Sequence, residues 1–124
     1  MAASVMHFEI PFDDGERATT FYRDVFGWTI NAMPQMEYAL VTTGPTGDAG
    51  PTEPGFVNGG MLQRCDVVPT TVVTLVVDDI VRTLAQVEAA GGRTVRDRQP
   101  VGDMGFAAYA TDTEGNVIGL WEDA

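Results

Sequence analysis

Two side chains near the start of the chain could do acid–base chemistry together, His7 and Glu9. From Val5 to Phe12 the residues alternate, with Phe8, Ile10 and Phe12 on one side of a predicted strand and His7, Glu9 and Pro11 on the other. An imidazole titrating near neutrality beside a carboxylate whose proton affinity rises on burial would suit a general base and its partner. Glu9 is the candidate base and His7 the partner. A thiol nucleophile is not indicated, because Cys65 is the only cysteine and His7 the only histidine, far apart in sequence. Nor is nucleotide hydrolysis, since the glycine-rich segment 44–55 has no Gly-Lys-Ser/Thr ending and opens no helix.

The elements that must hold this pair follow from patterning. After Asp13-Asp14-Gly15, which is helix-starting chemistry, Ala18, Phe21, Tyr22 and Val25 recur at helical spacing until Gly27 supplies a stop. Strands are predicted over 28–33, 37–43 and 56–66, with a turn around Pro34-Gln35. Segment 44–55 packs four glycines and three prolines into twelve residues and reads as a loop.

The order then restarts at Thr71. Val73, Leu75 and Val77 form one strand face, Asp78-Asp79 opens a helix through Ala90, Gly91-Gly92 ends it, and strands follow over 93–99, 105–112 and 116–122. At an offset of 65, Asp13, Asp14, Arg17 and Gly27 fall on Asp78, Asp79, Arg82 and Gly92, and Phe8, Ile10 and Phe12 fall on Val73, Leu75 and Val77. Two copies of one βαβββ unit explain this, with modules 5–66 and 70–123 in one domain spanning 1–124.

Composition excludes several partners. Eighteen acidic against seven basic residues leave a net charge of −11, which repels nucleic-acid phosphates and anionic membranes. No apolar run approaches the roughly 20 residues that span a bilayer. One cysteine, and an N-terminus without a basic and apolar leader, predict a cytoplasmic protein without a disulfide.

Two stretches carry a family likeness: His7-Phe8-Glu9-Ile10 running on to Phe21-Tyr22 and Phe26-Gly27-Trp28, and Asp112-Thr113-Glu114-Gly115-Asn116-Val117-Ile118. They resemble the opening strand with its Phe-Tyr helix, and the closing Asp-x-x-Gly-Asn hairpin, of the vicinal-oxygen-chelate superfamily of glyoxalases, bleomycin resistance proteins and extradiol dioxygenases. Within it the chain resembles small proteins labelled glyoxalase-like, a label that records fold rather than activity. The resemblance implies an α+β fold of two βαβββ modules whose curved mixed sheets enclose a cavity, often in a homodimer. His7 and Glu9 would face inward, with Phe8, Ile10 and Phe12 under the helix.

Metal-dependent members of the superfamily draw ligands from the first and last strands of each module. Here His7 keeps a donor, whereas the corresponding positions of the second module fall on Val72 and Gly119, which have none. The remaining ligand is expected within 59–64, where Met61 and Gln63 share a face, and His7 with Gln63 would make an incomplete metal site. Substrate-lining positions are expected at Met61, Gln63, Thr74, Gly119 and Trp121, with Gly119 making room for a bulky guest.

Three functions follow. The first, favoured by the missing ligands, is a small-molecule-binding protein without a cofactor, holding an apolar or aromatic compound in a homodimer cavity. The second is a lyase, isomerase or dioxygenase using nickel, zinc, manganese or iron. The third is a metal-free acid–base enzyme using Glu9 and His7.

Overall fold

The structure is a computed structural model describing residues 2–124. It has ten strands, β1 (Val5–Phe12), β2 (Thr29–Met33), β3 (Tyr38–Thr42), β4 (Thr46–Gly47), β5 (Gly50–Pro51), β6 (Gly59–Gln63), β7 (Val72–Val76), β8 (Arg93–Val101), β9 (Gly105–Thr111) and β10 (Val117–Asp123). Two α-helices, α1 (Gly15–Phe26) and α2 (Ile80–Ala89), complete an α+β fold with mixed sheets. Residues group into two compact units, one being His7–Thr71 and the other Val72–Ala124 together with the leading residues up to Met6. The start of β1 joins the second group through the Ser4 carbonyl, which accepts a hydrogen bond from the Val76 N–H at 3.0 Å.

In the first unit the strand order is β2-β3-β6-β1, and β1 and β6 run parallel. The second unit runs β8-β9-β10-β7, with β7 and β10 parallel in the same way. Each unit is thus one βαβββ module whose first and last strands are neighbours. The repeated residues do repeated work at the helix starts. Asp14 accepts the Arg17 N–H and Asp79 the Arg82 N–H, both at 3.0 Å, so the two helices share one N-cap bond, to which α2 adds the Glu122 carboxylate on the Ile80 N–H at 2.8 Å.

The repeated glycines differ. Gly27 takes the left-handed conformation at φ 71 and closes α1. After α2 that conformation belongs to Gly91, at φ 103, while Gly92 is small because a Cβ there would strike the Thr111 carbonyl and Val87. Segment 44–55 is also not pure loop: β4 and β5 form a two-stranded hairpin inside it, tied by the Asn58 amide donating to the Thr46 hydroxyl at 2.8 Å. Both expectations came from counting turn residues, which marks where a chain bends but not which glycine bears the positive φ.

Each unit packs one sheet face under its helix. In the first, Ile30, Ala39, Val41 and Met61 are buried, with Phe8, Ile10, Phe12, Ala18, Tyr22 and Trp28 packed against them. In the second, Ile80, Leu84, Ala108, Ala110 and Leu120 form the core, flanked by Leu75, Val77 and Ile118. This apolar burial is the main stabilising term and fixes which face of every strand is left for chemistry.

Candidate functional site

With Phe8, Ile10 and Phe12 committed to the helix side, alternation sends His7, Glu9 and Pro11 to the opposite face of β1. Glu9 is 6% exposed and His7 half-buried. Burial lowers the pKa of His7 from 6.5, and the negative charge of Glu9 opposes that shift without reversing it. His7 is therefore held as neutral imidazole at neutral pH.

The imidazole Nε2 lies 2.9 Å from the hydroxyl of Tyr38 on β3. Tyr38 reaches it by crossing β6 at Gly60, the residue paired with Glu9. A Cβ at position 60 would overlap the Tyr38 ring and hydroxyl, so the tyrosine occupies the space that a side chain from the closing strand would fill. The adjacent Gly59 is equally constrained from the other side, where a Cβ would stand 2.6 Å from the Phe8 ring. Neither glycine has a positive φ; each is required by a close approach, one per face. A Gly-Gly pair inside a strand was the available sequence signal, and Tyr38 was missed because the signal does not say what approaches.

The register overturns the expectation for Met61 and Gln63. They pair with Ile10 and Phe12 and so lie on the helix side, opposite His7 and Glu9. Met61 is 0% exposed within the core, and Gln63 sits at the strand end donating its amide N–H to the Asp13 carbonyl at 3.3 Å. His7 and Gln63 therefore cannot share a metal ion, and Met61 cannot line a site with His7. Arg64 reinforces the tie, meeting the Asp13 carboxylate at 3.0 Å and the Pro69 carbonyl at 2.8 Å. The ambiguity arose because the unequal loop before β6 hides its phase from sequence.

In the second unit, Thr74, Gly119 and Trp121 do share one face, opposite Leu75 and Leu120. Thr74 is 7% exposed and pairs with Gly119, where a Cβ would stand 2.7 Å from the Thr74 hydroxyl. Gly119 also pairs with Tyr109 on β9. The Trp121 indole N–H donates to the Asp123 carboxylate at 2.8 Å, and its ring lies against Gly105. Val72 is 1% exposed.

The two registers match. Glu9 and Thr74, equivalent at the repeat offset, each pair with a closing-strand glycine, Gly60 and Gly119. The first-module counterpart of position 119 is therefore position 60. Of the four positions that the family resemblance and the register mark for metal ligands, 7, 60, 72 and 119, only His7 bears a side-chain donor, and Tyr38 engages it. Among the described residues no three His, Cys, Asp or Glu side chains gather closely enough to hold a metal ion. The donor set does not fit a metal of the glyoxalase kind.

Comparison with known proteins agrees with this architecture. Residues 4–44 match the family described as bleomycin resistance protein-like N-terminal. A glyoxylase-like domain-containing protein from Didymella fabae is 31% identical over 116 residues, covering 87% of this chain and 84% of that protein. The chain belongs to the vicinal-oxygen-chelate superfamily, as a glyoxalase-like member. Among solved structures, methylmalonyl-CoA epimerase from Mycobacterium tuberculosis superposes with a TM-score of 0.63 at 16% identity, covering 97% of this chain and 87% of the epimerase. A glyoxalase/bleomycin resistance protein/dioxygenase superfamily member from Vibrio splendidus gives 0.63 at 14% identity, over 99% and 100% of the two chains. At these identities the superpositions show the fold alone. Among the described residues no helix is long and apolar enough to cross a membrane.

Proposed function

We propose that this chain is a metal-independent, cytoplasmic small-molecule-binding protein of the glyoxalase/bleomycin-resistance type, working as a homodimer and taking an apolar or aromatic compound. The observation that carries the reading is Tyr38. Its hydroxyl fills the space of a side chain at Gly60 and engages the one ligand-type residue that remains, His7. Aromatic and aliphatic side chains from β3 and β6 supply contact area beside that polar pair. β2 and β8 each have a single strand partner, and such edges are places where a second copy adds on.

The test combines elemental analysis of the purified chain with titration of the metal-stripped form by nickel, zinc, manganese and ferrous iron. No binding tighter than roughly millimolar is expected, together with a rise in Tm on screening small aromatic compounds. One ion bound per chain and lost in His7→Ala would overturn the reading and restore a metal-dependent lyase or dioxygenase. Sedimentation gives the oligomeric state.

A second reading has its own support. Buried Glu9 and neutral His7, two residues apart on one face, are the ingredients of metal-free acid–base catalysis on a small carbonyl or aromatic substrate. A bell-shaped rate profile abolished in Glu9→Gln would establish it.

A further inference from the structure

Helix α1 exposes far more apolar surface than its counterpart in the second unit. Phe21, Val25 and Phe26 are 52%, 58% and 58% exposed, and no residue of the helix is buried. In α2 the repeat offset of 65 puts Gln86, Ala90 and Gly91 at those positions, while Ile80 and Leu84 are buried. A βαβββ module therefore folds with small or polar residues there, and packing its helix does not call for the three large ones. The large apolar side chain that α2 does expose, Val81, stands by itself in the first turn.

The patch on α1 is contiguous and already held in place. The Phe21 ring meets Tyr22 edge-on at 5.2 Å between centroids and Phe26 at 6.0 Å, and Tyr22 stacks on Trp28 at 4.8 Å. Rings fixed by their neighbours lose little freedom on being covered. Contiguous exposed apolar residues of this kind mark a surface that meets another, and aromatic side chains are the ones such contacts use most.

The charges beside the patch point to what covers it. Arg17 lies four residues before Phe21 and Asp24 three after, so all three, with Val25, fall along one side of the helix. When two such helices cross antiparallel with Phe21 near the twofold axis, each Arg17 comes beside Asp24 of the partner subunit. That self-complementarity is what a twofold contact requires. The stripe is neutral although the chain carries −11, so two copies meet there without a local clash of like charges. Strand addition at an edge is the alternative, and β8 is poorly made for it: its pairing shifts register on both sides of Arg96, and Arg93, Arg96, Asp97 and Arg98 are exposed along it.

We propose that α1 is the contact surface of a homodimer, in which two copies cross antiparallel on Phe21 and Val25 with reciprocal ion pairs between Arg17 and Asp24. The inference rests on the homodimer reading above and narrows it to one surface and one symmetry. Because α1 packs on the side of β1 that Phe8, Ile10 and Phe12 occupy, the partner stands away from the face that bears His7 and Glu9.

Sedimentation velocity of the intact chain tests this, with circular dichroism to confirm that each variant is folded. A dimer dissociating in roughly the micromolar range is expected, as suits a contact at the small end of stable interfaces. Phe21→Glu, at an exposed position, should weaken it at least about ten-fold. Arg17→Asp and Asp24→Arg should each weaken it about three-fold or more by setting like charges opposite one another, and the double variant should return to within about two-fold of the native chain. Both single changes put an acid in the first turn or a base in the last, which the helix dipole favours, so α1 itself does not suffer.

A dimer that none of these variants weakens overturns the inference and leaves the homodimer reading to a sheet edge. Weakening by Phe21→Glu without rescue in the double charge variant overturns the antiparallel pairing, and the inference with it. A native chain that stays monomeric to about a hundred micromolar overturns the inference and the homodimer reading together. Binding of that monomer to neutral phosphatidylcholine vesicles, lost in Phe21→Glu, would then assign the face to a lipid surface.

Discussion

The hydroxyl of Tyr38 and Nε2 of His7 stand 2.9 Å apart across the bare backbone of Gly60. This contact engages the one ligand-type side chain, His7, in a hydrogen-bonded pair. It depends on position 60 having no side chain, and the first prediction follows from that. Gly60→Ala should destabilise the fold by about 1–3 kcal/mol, as overpacking does, because the methyl group must displace a ring anchored at its far end. The cost should shrink when combined with Tyr38→Ala. Denaturant midpoints of the two single variants and the double variant measure the coupling, and strict additivity would show that the ring and position 60 do not meet.

His7 should titrate below 6.5, and stability should follow its proton. The folded pKa is lowered, so the unfolded chain binds the proton more readily, and stability rises with pH through that window. The His7 contribution is fully present above 6.5 and is lost as pH falls from there through the folded value. NMR titration of the imidazole gives the pKa. Urea unfolding of native and His7→Gln protein at several pH values between about 5 and 7 should show a weaker pH dependence in the variant.

Met61 behaves as core. Met61→Ala should cost about 2–5 kcal/mol, whereas Met61→Leu, which keeps the volume, should cost less than about 1.5 kcal/mol. Neither should change the affinity of a ligand relative to native protein once folding is corrected for, since the side chain faces α1. A selective loss of ligand affinity in Met61→Leu would place it in the site after all.

The two helix caps offer a check on the internal repeat. Asp14→Ala and Asp79→Ala should each cost about 1 kcal/mol, because each removes the N-cap acceptor of a first-turn N–H, although α2 keeps a second side-chain acceptor in Glu122, which takes the Ile80 N–H at 2.8 Å. Their effects should add, the caps being in different units, and thermal denaturation of the single and double variants measures this.

A good part of the protein was legible before any coordinates. Alternation in β1 announced which residues go under the helix, since a one-residue slip would put Phe8, Ile10 and Phe12 in water. The Asp-x-x-Arg repeat announced two capped helices, and Asp112 with Gly115 and Asn116 announced the last hairpin. There the Asp112 carboxylate accepts the N–H groups of Glu114 and Asn116 at 2.8 and 2.9 Å, which is local chemistry between near neighbours. Interactions of this kind are encoded within a few residues, and they are sufficient to define two βαβββ modules and the superfamily.

The candidate site was legible only in part. His7 and Glu9 were found because they lie on a strand whose phase is unambiguous, and Thr74, Gly119 and Trp121 share a face for the same reason. Met61 and Gln63 were assigned to the wrong side because the phase of β6 is set by its pairing with β1 beyond a long insertion. Tyr38 is 31 residues from His7, and no local pattern couples them. The sequence alone determined the two α-helices and the eight longer strands, though not the short β4–β5 hairpin, and which faces of β1 and β7 are greasy, because those depend on near-neighbour geometry and water. Tertiary structure decided which face β6 presents and what fills the space above Gly60, because strand register and side-chain reach are fixed only when distant segments pack.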